Sequence, residues 1–104
     1  MITLHIENTV RDFAAWKAVF DKFDRFRADH GVQSYRMFRR VGEPNRLAVD
    51  LFFETTDEAT AFGSALEQIW RTPQSQEQLV EHTSPVVLEV IEDRDLSAAA
   101  ASTS

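Results

Sequence analysis

Residues 46–54 read RLAVDLFFE. Leu47, Val49, Leu51 and Phe53 alternate along this stretch, the two-residue period of a strand with one buried face. The opposite face carries Ala48, Asp50 and Phe52, so a carboxylate stands between apolar neighbours on a strand that reads as central. What that second face looks at bears on the fold and on the place of a site.

Before this strand, VGEPN at 41–45 supplies a turn through Pro44 and Asn45. VQSYRMFRR at 32–40 supplies a partner strand, so the pair predicts a hairpin with a loop of about five residues. After it, Thr55 followed by Glu58 is a capping box. The helix it opens has a stripe of Ala59, Phe62, Leu66 and Ile69, with Trp70 at the edge. Thr72 and Pro73 open a short further helix that takes in Leu79 and Val80, and Pro85 ends that stretch. A last strand follows at 86–91, with Val86, Leu88 and Val90 on one face and Val87, Glu89 and Ile91 on the other. The chain begins with a strand at 2–7, where Ile2, Leu4 and Ile6 alternate with Thr3, His5 and Glu7. Asp12 then caps a long helix in which Phe13, Trp16, Val19, Phe20, Phe23 and Phe26 recur at helical spacing. Gly31 ends it, as the residue that enters the left-handed region most cheaply. His30, in its last turn, suits the negative end of the helix dipole.

The order β-α-β-β-α-(α)-β predicts an α+β, ferredoxin-like sandwich with strands arranged 4-1-3-2 and both main helices on one face. Residues 1–92 read as a single domain. Residues 93–104, DRDLSAAAASTS, have little to bury and are expected to form a flexible tail. Two helical stripes cover only one face of such a sheet. Phe38, Phe52, Val87 and Ile91 on the other face then form an apolar patch of the kind that marks an interface. A second copy packed sheet to sheet buries that patch, making a homodimer with His5, Arg36, Asp50 and Glu89 lining a partly polar pocket.

Composition narrows the function classes. A net charge of −6 over 104 residues argues against nucleic-acid binding, which needs a basic patch. The absence of cysteine excludes disulfides, thiolate metal sites and cysteine nucleophiles. No apolar stretch approaches the roughly 20 residues of a membrane helix. MITLHIENTV carries no basic leader with a long apolar run, so a cytoplasmic location without membrane association is expected. Three glycines rule out glycine-rich cofactor loops, and no cofactor and no metal is expected.

VRDFAAWKAVFDKF at 10–23 and GVQSYRMFRRVGEPNRLAVDLFFETTDEATAF at 31–62 resemble the antibiotic-biosynthesis-monooxygenase-like branch of the dimeric α+β-barrel superfamily. The resemblance spans nearly all of residues 1–92 and rests on core positions and the hairpin turn. It implies a dimeric barrel whose subunits hold a ligand between sheet and helices or inside the barrel. The activities it implies are cofactor-independent quinone-forming oxygenation, haem degradation, or isomerisation. Some members use an Asn at the end of the first strand, a Trp on the second main helix and a His shortly after it. Asn8, Trp70 and His82 are this chain's counterparts, although alignment on Phe62 puts the family's Trp position at Ala65.

An Asn amide and an indole N–H can polarise a phenolate or a peroxide through oriented donors. The competing roles are a strand-end residue for Asn8, helix-edge packing for Trp70 and a helix-end cation for His82. His5, Asp50 and Glu89 fall on one sheet face if the register allows, and a His beside carboxylates can serve as a base. Arg36 can clamp an anionic substrate, with Phe52 beside it. A salt-bridged, solvated face is the plain alternative for this group. The functional expectation is a monooxygenase acting on an aromatic or polycyclic small molecule. The alternatives are a dimer that only binds a small apolar ligand, and a haem-binding or haem-degrading protein.

Overall fold

The first strand, β1 (Ile2–Val10), pairs antiparallel with the RLAVDLFFE strand, and the register sets Leu4 against Leu51, His5 against Asp50 and Ile6 against Val49. In this computed structural model, which describes residues 1–97, the remaining elements are laid around that pair. They are α1 (Phe13–Asp21), α2 (Asp24–Asp29), β2 (Ser34–Arg40), β3 (Glu43–Phe53), α3 (Thr56–Trp70), α4 (Pro73–Gln78), β4 (Leu79–His82) and β5 (Val86–Glu89). The sheet runs β2-β3-β1-β4, and β5 also pairs with β1. The fourth position of the ferredoxin-like 4-1-3-2 order is therefore shared by two short strands, one on each half of β1. The expected fold class is the one observed.

Leu4, Ile6, Val49, Leu51 and Phe53 form the helix-facing side of the sheet, and Ala59, Phe62 and Trp70 of α3 close over them. Burying this face removes several large apolar side chains from water, each contributing about 1.5–3 kcal/mol. Helix caps follow the sequence closely. The Asp12 carboxylate accepts from the Ala14 amide at 3.1 Å. The Thr55 hydroxyl accepts from the Glu58 amide at 3.2 Å and donates to the Glu58 carboxylate at 3.0 Å. At Gly31, φ is +93°, and the Val32 and Gly31 amides close back on the carbonyls of Arg27 and Ala28. That is a Schellman motif, with buried Val32 as its apolar anchor.

Several sequence expectations are corrected. The helix expected from Asp12 to Gly31 is broken at Lys22–Phe23, although neither glycine nor proline stands there. The Phe20 carbonyl released at the break is taken by the Arg27 guanidinium and the Phe23 amide. The hairpin turn is shorter than VGEPN. Pairing extends to Arg40–Glu43, and Gly42 turns at φ +85° beside a register shift. Leu79 and Val80 belong to β4 and not to a helix. In β5, Val87 and Glu89 lie across from Leu4 and Ile2, on the helix side, while Val86 and Leu88 share the open face with His5 and Thr3. A one-residue change of register exchanges the faces of a strand, and apolar residues on both faces of 86–91 left the parity undetermined. Of the expected tail, residues 98–104 lie outside the described residues.

Candidate active-site cavity

None of the residues of α1 is buried. Trp16 and Phe20 are partly buried against the core, and with Val19 they line a partly open cavity of about 430 Å³ between helices and sheet. Its floor is Ile6, Asn8, Val49 and Leu51. Phe26 and Arg27 form one wall, and Phe62, Leu66 and Trp70 another. Aromatic rings line much of it, the chemistry that receives a flat apolar molecule.

Asn8 reaches this cavity because its position in β1 has the same parity as Leu4 and Ile6, between Leu47 on one side and His82 on the other. It is 8 % exposed, and its Oδ1 has no partner among the described residues. Trp70, the last residue of α3, is equally buried, and its ring lies 4.7 Å from that of His82 at 38°. The structure thus brings Asn8, Trp70 and His82 to one corner of the fold. The sequence offset of Trp70 is absorbed because it closes the last turn of α3 above the β1–β4 pair. His82 lies behind the indole and borders a smaller outer pocket of about 290 Å³ with Glu67 and Arg71.

The other named residues are elsewhere. His5, Asp50, Arg36 and Phe52 lie on the open face of the sheet, opposite the cavity, because their strand parity is the reverse of Asn8's. The Asp50 carboxylate meets His5 Nδ1 at 2.5 Å, and Glu7 meets the other imidazole nitrogen at 3.2 Å. Arg36 stands directly across from Asp50 on β2, so a charged row crosses three strands. Glu89 is not part of it, since it sits on the helix side across from Ile2. The expected trio of His5, Asp50 and Glu89 is therefore not assembled, and no group of three His, Asp or Glu placed to hold a metal ion occurs among the described residues.

The Asp50 hydrogen bond, reinforced by Glu7, holds the His5 pKa above its usual 6.5 against the opposing effect of burial. An unfolded histidine titrates near 6.5. The pair's stabilisation is thus complete below about pH 6.5 and is lost as pH rises through the higher folded value. Urea unfolding of wild type and His5→Gln should show a stability gap that is wider at pH 6 than at pH 9. A gap that stays constant or widens toward pH 9 would contradict the pairing.

Two cavity residues were not singled out in the sequence. Arg27 is 6 % exposed, with its guanidinium 3.7 Å above the Phe20 ring and 5.5 Å from that of Tyr35. Its Nε has no partner, and neither has Gln78 Oε1. A signal for Arg27 was present, because it falls seven residues after Phe20 and four after Phe23, on the apolar stripe itself.

No protein-family model matches the sequence, and neither does any curated protein. Solved structures do match. A Bordetella bronchiseptica protein provisionally named an antibiotic biosynthesis monooxygenase superposes with a TM-score of 0.69 at 19% identity, over 88% of this chain and 97% of its own. SnoaB, a cofactor-independent oxygenase from Streptomyces nogalater, gives 0.63 at 13% identity, over 88% and 94%. A dimeric ferredoxin-like protein from an uncultured marine organism gives 0.61 at 12% identity, over 89% and 97%. No helix among the described residues is long and apolar enough to cross a membrane. The chain has the ferredoxin-like α+β fold of the antibiotic-biosynthesis-monooxygenase-like proteins.

Proposed function

We propose that this protein is a cofactor-independent monooxygenase that oxidises an aromatic or polycyclic phenol in the cavity between sheet and helices. The observation that carries the reading is the pairing of an aromatic-lined cavity with a buried Asn8, whose Oδ1 has no partner among the described residues, and the Trp70 wall. In this reading an ionised phenol donates an electron from ring carbon to O₂, and the resulting pair combines as a carbon-bound hydroperoxide. Loss of water, breaking the O–O bond and the ring C–H bond, leaves a quinone carbonyl. One O₂ is consumed per phenol, one oxygen atom stays in the quinone and one leaves in water, so no external reductant is needed. The Asn8 Nδ2–H and the Trp70 indole N–H donate to the oxyanion and the peroxide, while Asn8 Oδ1 accepts from the hydroperoxide O–H. The phenol proton leaves to solvent through the open mouth of the cavity, and His82, stacked on the outer side of Trp70, holds the indole in place.

The working unit of the proposal is a homodimer formed through the open sheet face. Phe38, Val86 and Leu88 are 42%, 49% and 46% exposed there, around the His5–Asp50 row. The dimeric ferredoxin-like neighbour supports this. A haem reading has less support, because no histidine lines the large cavity among the described residues.

The test is aerobic incubation of purified protein with one-, two- and three-ring phenols under ¹⁸O₂. The expected result is one labelled oxygen per quinone and one O₂ consumed per turnover, with native mass spectrometry reading a dimer. Binding of these phenols without oxygen uptake would replace this reading with that of a ligand-binding dimer.

A further inference from the structure

The open sheet face carries a row of charge set among apolar residues. Across the strands it runs from Val86 of β5 through His5 of β1 and Asp50 of β3 to Arg36 of β2, and Glu7 reaches His5 from two residues along β1. Leu88 and Phe52 lie in the next row on one side, and Ala48 and Phe38 in the next row on the other. Among the described residues, the charged groups that face His5 are therefore Glu7 on its own strand, Asp50 on β3 and Arg36 on β2, while β5 presents Val86 and Leu88. Arg46 and Glu81 share this face but flank Thr9, further along β1. Asp50 is turned to His5, and exposed Arg36 has no carboxylate within ion-pair distance among the described residues. The Glu7 side chain is 60% exposed, so both ends of the row stay open to a partner.

Protonation of His5 sets the net charge of this row. With the imidazole charged, two cations face two carboxylates and the row is neutral. With it uncharged, one negative charge is in excess. Solvent screens that difference while the face is open. Between two sheets it matters far more, because a charge taken out of water without a counter-charge is much costlier than a paired one. A two-fold interface puts the same row on both sides and so doubles the excess. The same symmetry makes the row self-complementary. Arg36 and Glu7 stand on β2 and β1 with β3 between them, so an axis over β3 sets each Arg36 against the Glu7 of the other copy.

Resting on the proposed sheet-face dimer, we infer that a second copy closes over this face with His5 protonated in both chains, so that association is tight in mildly acidic solution and weakens in alkali. The Asp50 hydrogen bond, with Glu7, already holds the His5 pKa above 6.5 in the open chain. Enclosure raises the imidazole's hold on its proton further, because losing it leaves the trapped row charged. A group that binds its proton more tightly in the dimer gives full association below the free chain's pKa, and association falls as pH rises through that value. The change is about tenfold per pH unit for each proton taken up. The other two histidines are elsewhere, His82 paired with Asn8 on the helix side and His30 at the end of α2.

Sedimentation velocity over a dilution series at pH 6 and pH 9, at constant ionic strength, reads this directly. The wild-type dimer Kd should be at least about tenfold larger at pH 9 than at pH 6. His5→Gln should be weak at both, with the two values within about threefold of each other. His5→Gln/Asp50→Asn removes the imidazole and its carboxylate together, leaving Arg36 and Glu7 in balance. It should dimerise about as tightly as wild type at pH 6, and equally at pH 9. A wild-type dimer that is pH-independent, a pH dependence that survives in His5→Gln, or a double variant as weak as His5→Gln overturns the inference. A monomer at both pH values removes the inference and the dimer with it, whereas a pH-independent dimer leaves the proposed dimer standing. A pH-dependent dimer that takes up no oxygen with any phenol upholds the inference and removes the oxygenase reading.

Discussion

Phe53→Ala is expected to destabilise the protein by about 3–5 kcal/mol, the usual cost of emptying a fully buried aromatic site. Phe53 is 0% exposed, and its ring packs 5.7 Å from that of Phe62, joining the end of β3 to the middle of α3. Across β1 its partner is Ile2, so the void would open where strand pairing and helix packing meet. The backbone there is held by the β1–β3 ladder and cannot collapse inward. Against a typical total of about 5–15 kcal/mol, such a loss leaves little margin. With an m-value of about 2 kcal/mol/M, the urea midpoint should fall by roughly 2 M at one protein concentration. Val41→Ala, at a residue 98% exposed in the hairpin turn, is the control and should move stability by no more than about 0.5 kcal/mol. A Phe53→Ala loss below about 1.5 kcal/mol would mean that α3 does not close on this sheet as described.

That site was legible because alternation in 46–54 has one reading. Four branched or aromatic residues share a face, and the intervening positions tolerate partial exposure. Asp12, Gly31 and Thr55 were legible for a related reason, since each meets a purely local backbone need. The break at Lys22–Phe23 was not. The apolar stripe runs through it without interruption, and the break depends on Arg27 reaching back to the Phe20 carbonyl, a choice made by tertiary packing. The face of β5 was not legible either, because Val86–Ile91 is apolar on both sides except for Glu89, and all four strand residues are exposed at the sheet edge. Sheet parity then separated the candidate site residues. Asn8 faces the helices, whereas His5 and Asp50 face away from them. Arg27 lies on the apolar stripe, but a charged residue in a helix ordinarily reads as solvated, and that expectation outweighs its position although Phe20 and Tyr35 enclose it.

Asn8→Ala is expected to lower kcat for oxygen-dependent quinone formation by about 10²–10³-fold, the range seen when one oriented donor to a developing oxyanion is removed. Because that donor acts on charge that develops in the transition state, KM should change much less than kcat. Stability should respond in the opposite sense to an ordinary core substitution. Asn8 is 8% exposed with an unpartnered Oδ1, and an unsatisfied buried polar atom costs about 1–3 kcal/mol. Replacing the amide with a methyl group relieves that cost, at the expense of a small void beside the existing cavity. The urea midpoint of Asn8→Ala should therefore equal or exceed that of wild type. The combination distinguishes a site residue from a strand-end residue. A structural role predicts lost stability with rates preserved per folded molecule, and that outcome would take Asn8 out of the chemistry. Trp70→Phe removes the indole N–H while leaving a ring to stack on His82, so its kcat should fall with little loss of fold. If Asn8→Ala alone lowers kcat, the oxyanion is held from the β1 side of the cavity, and Trp70 acts as the wall between the two pockets it borders.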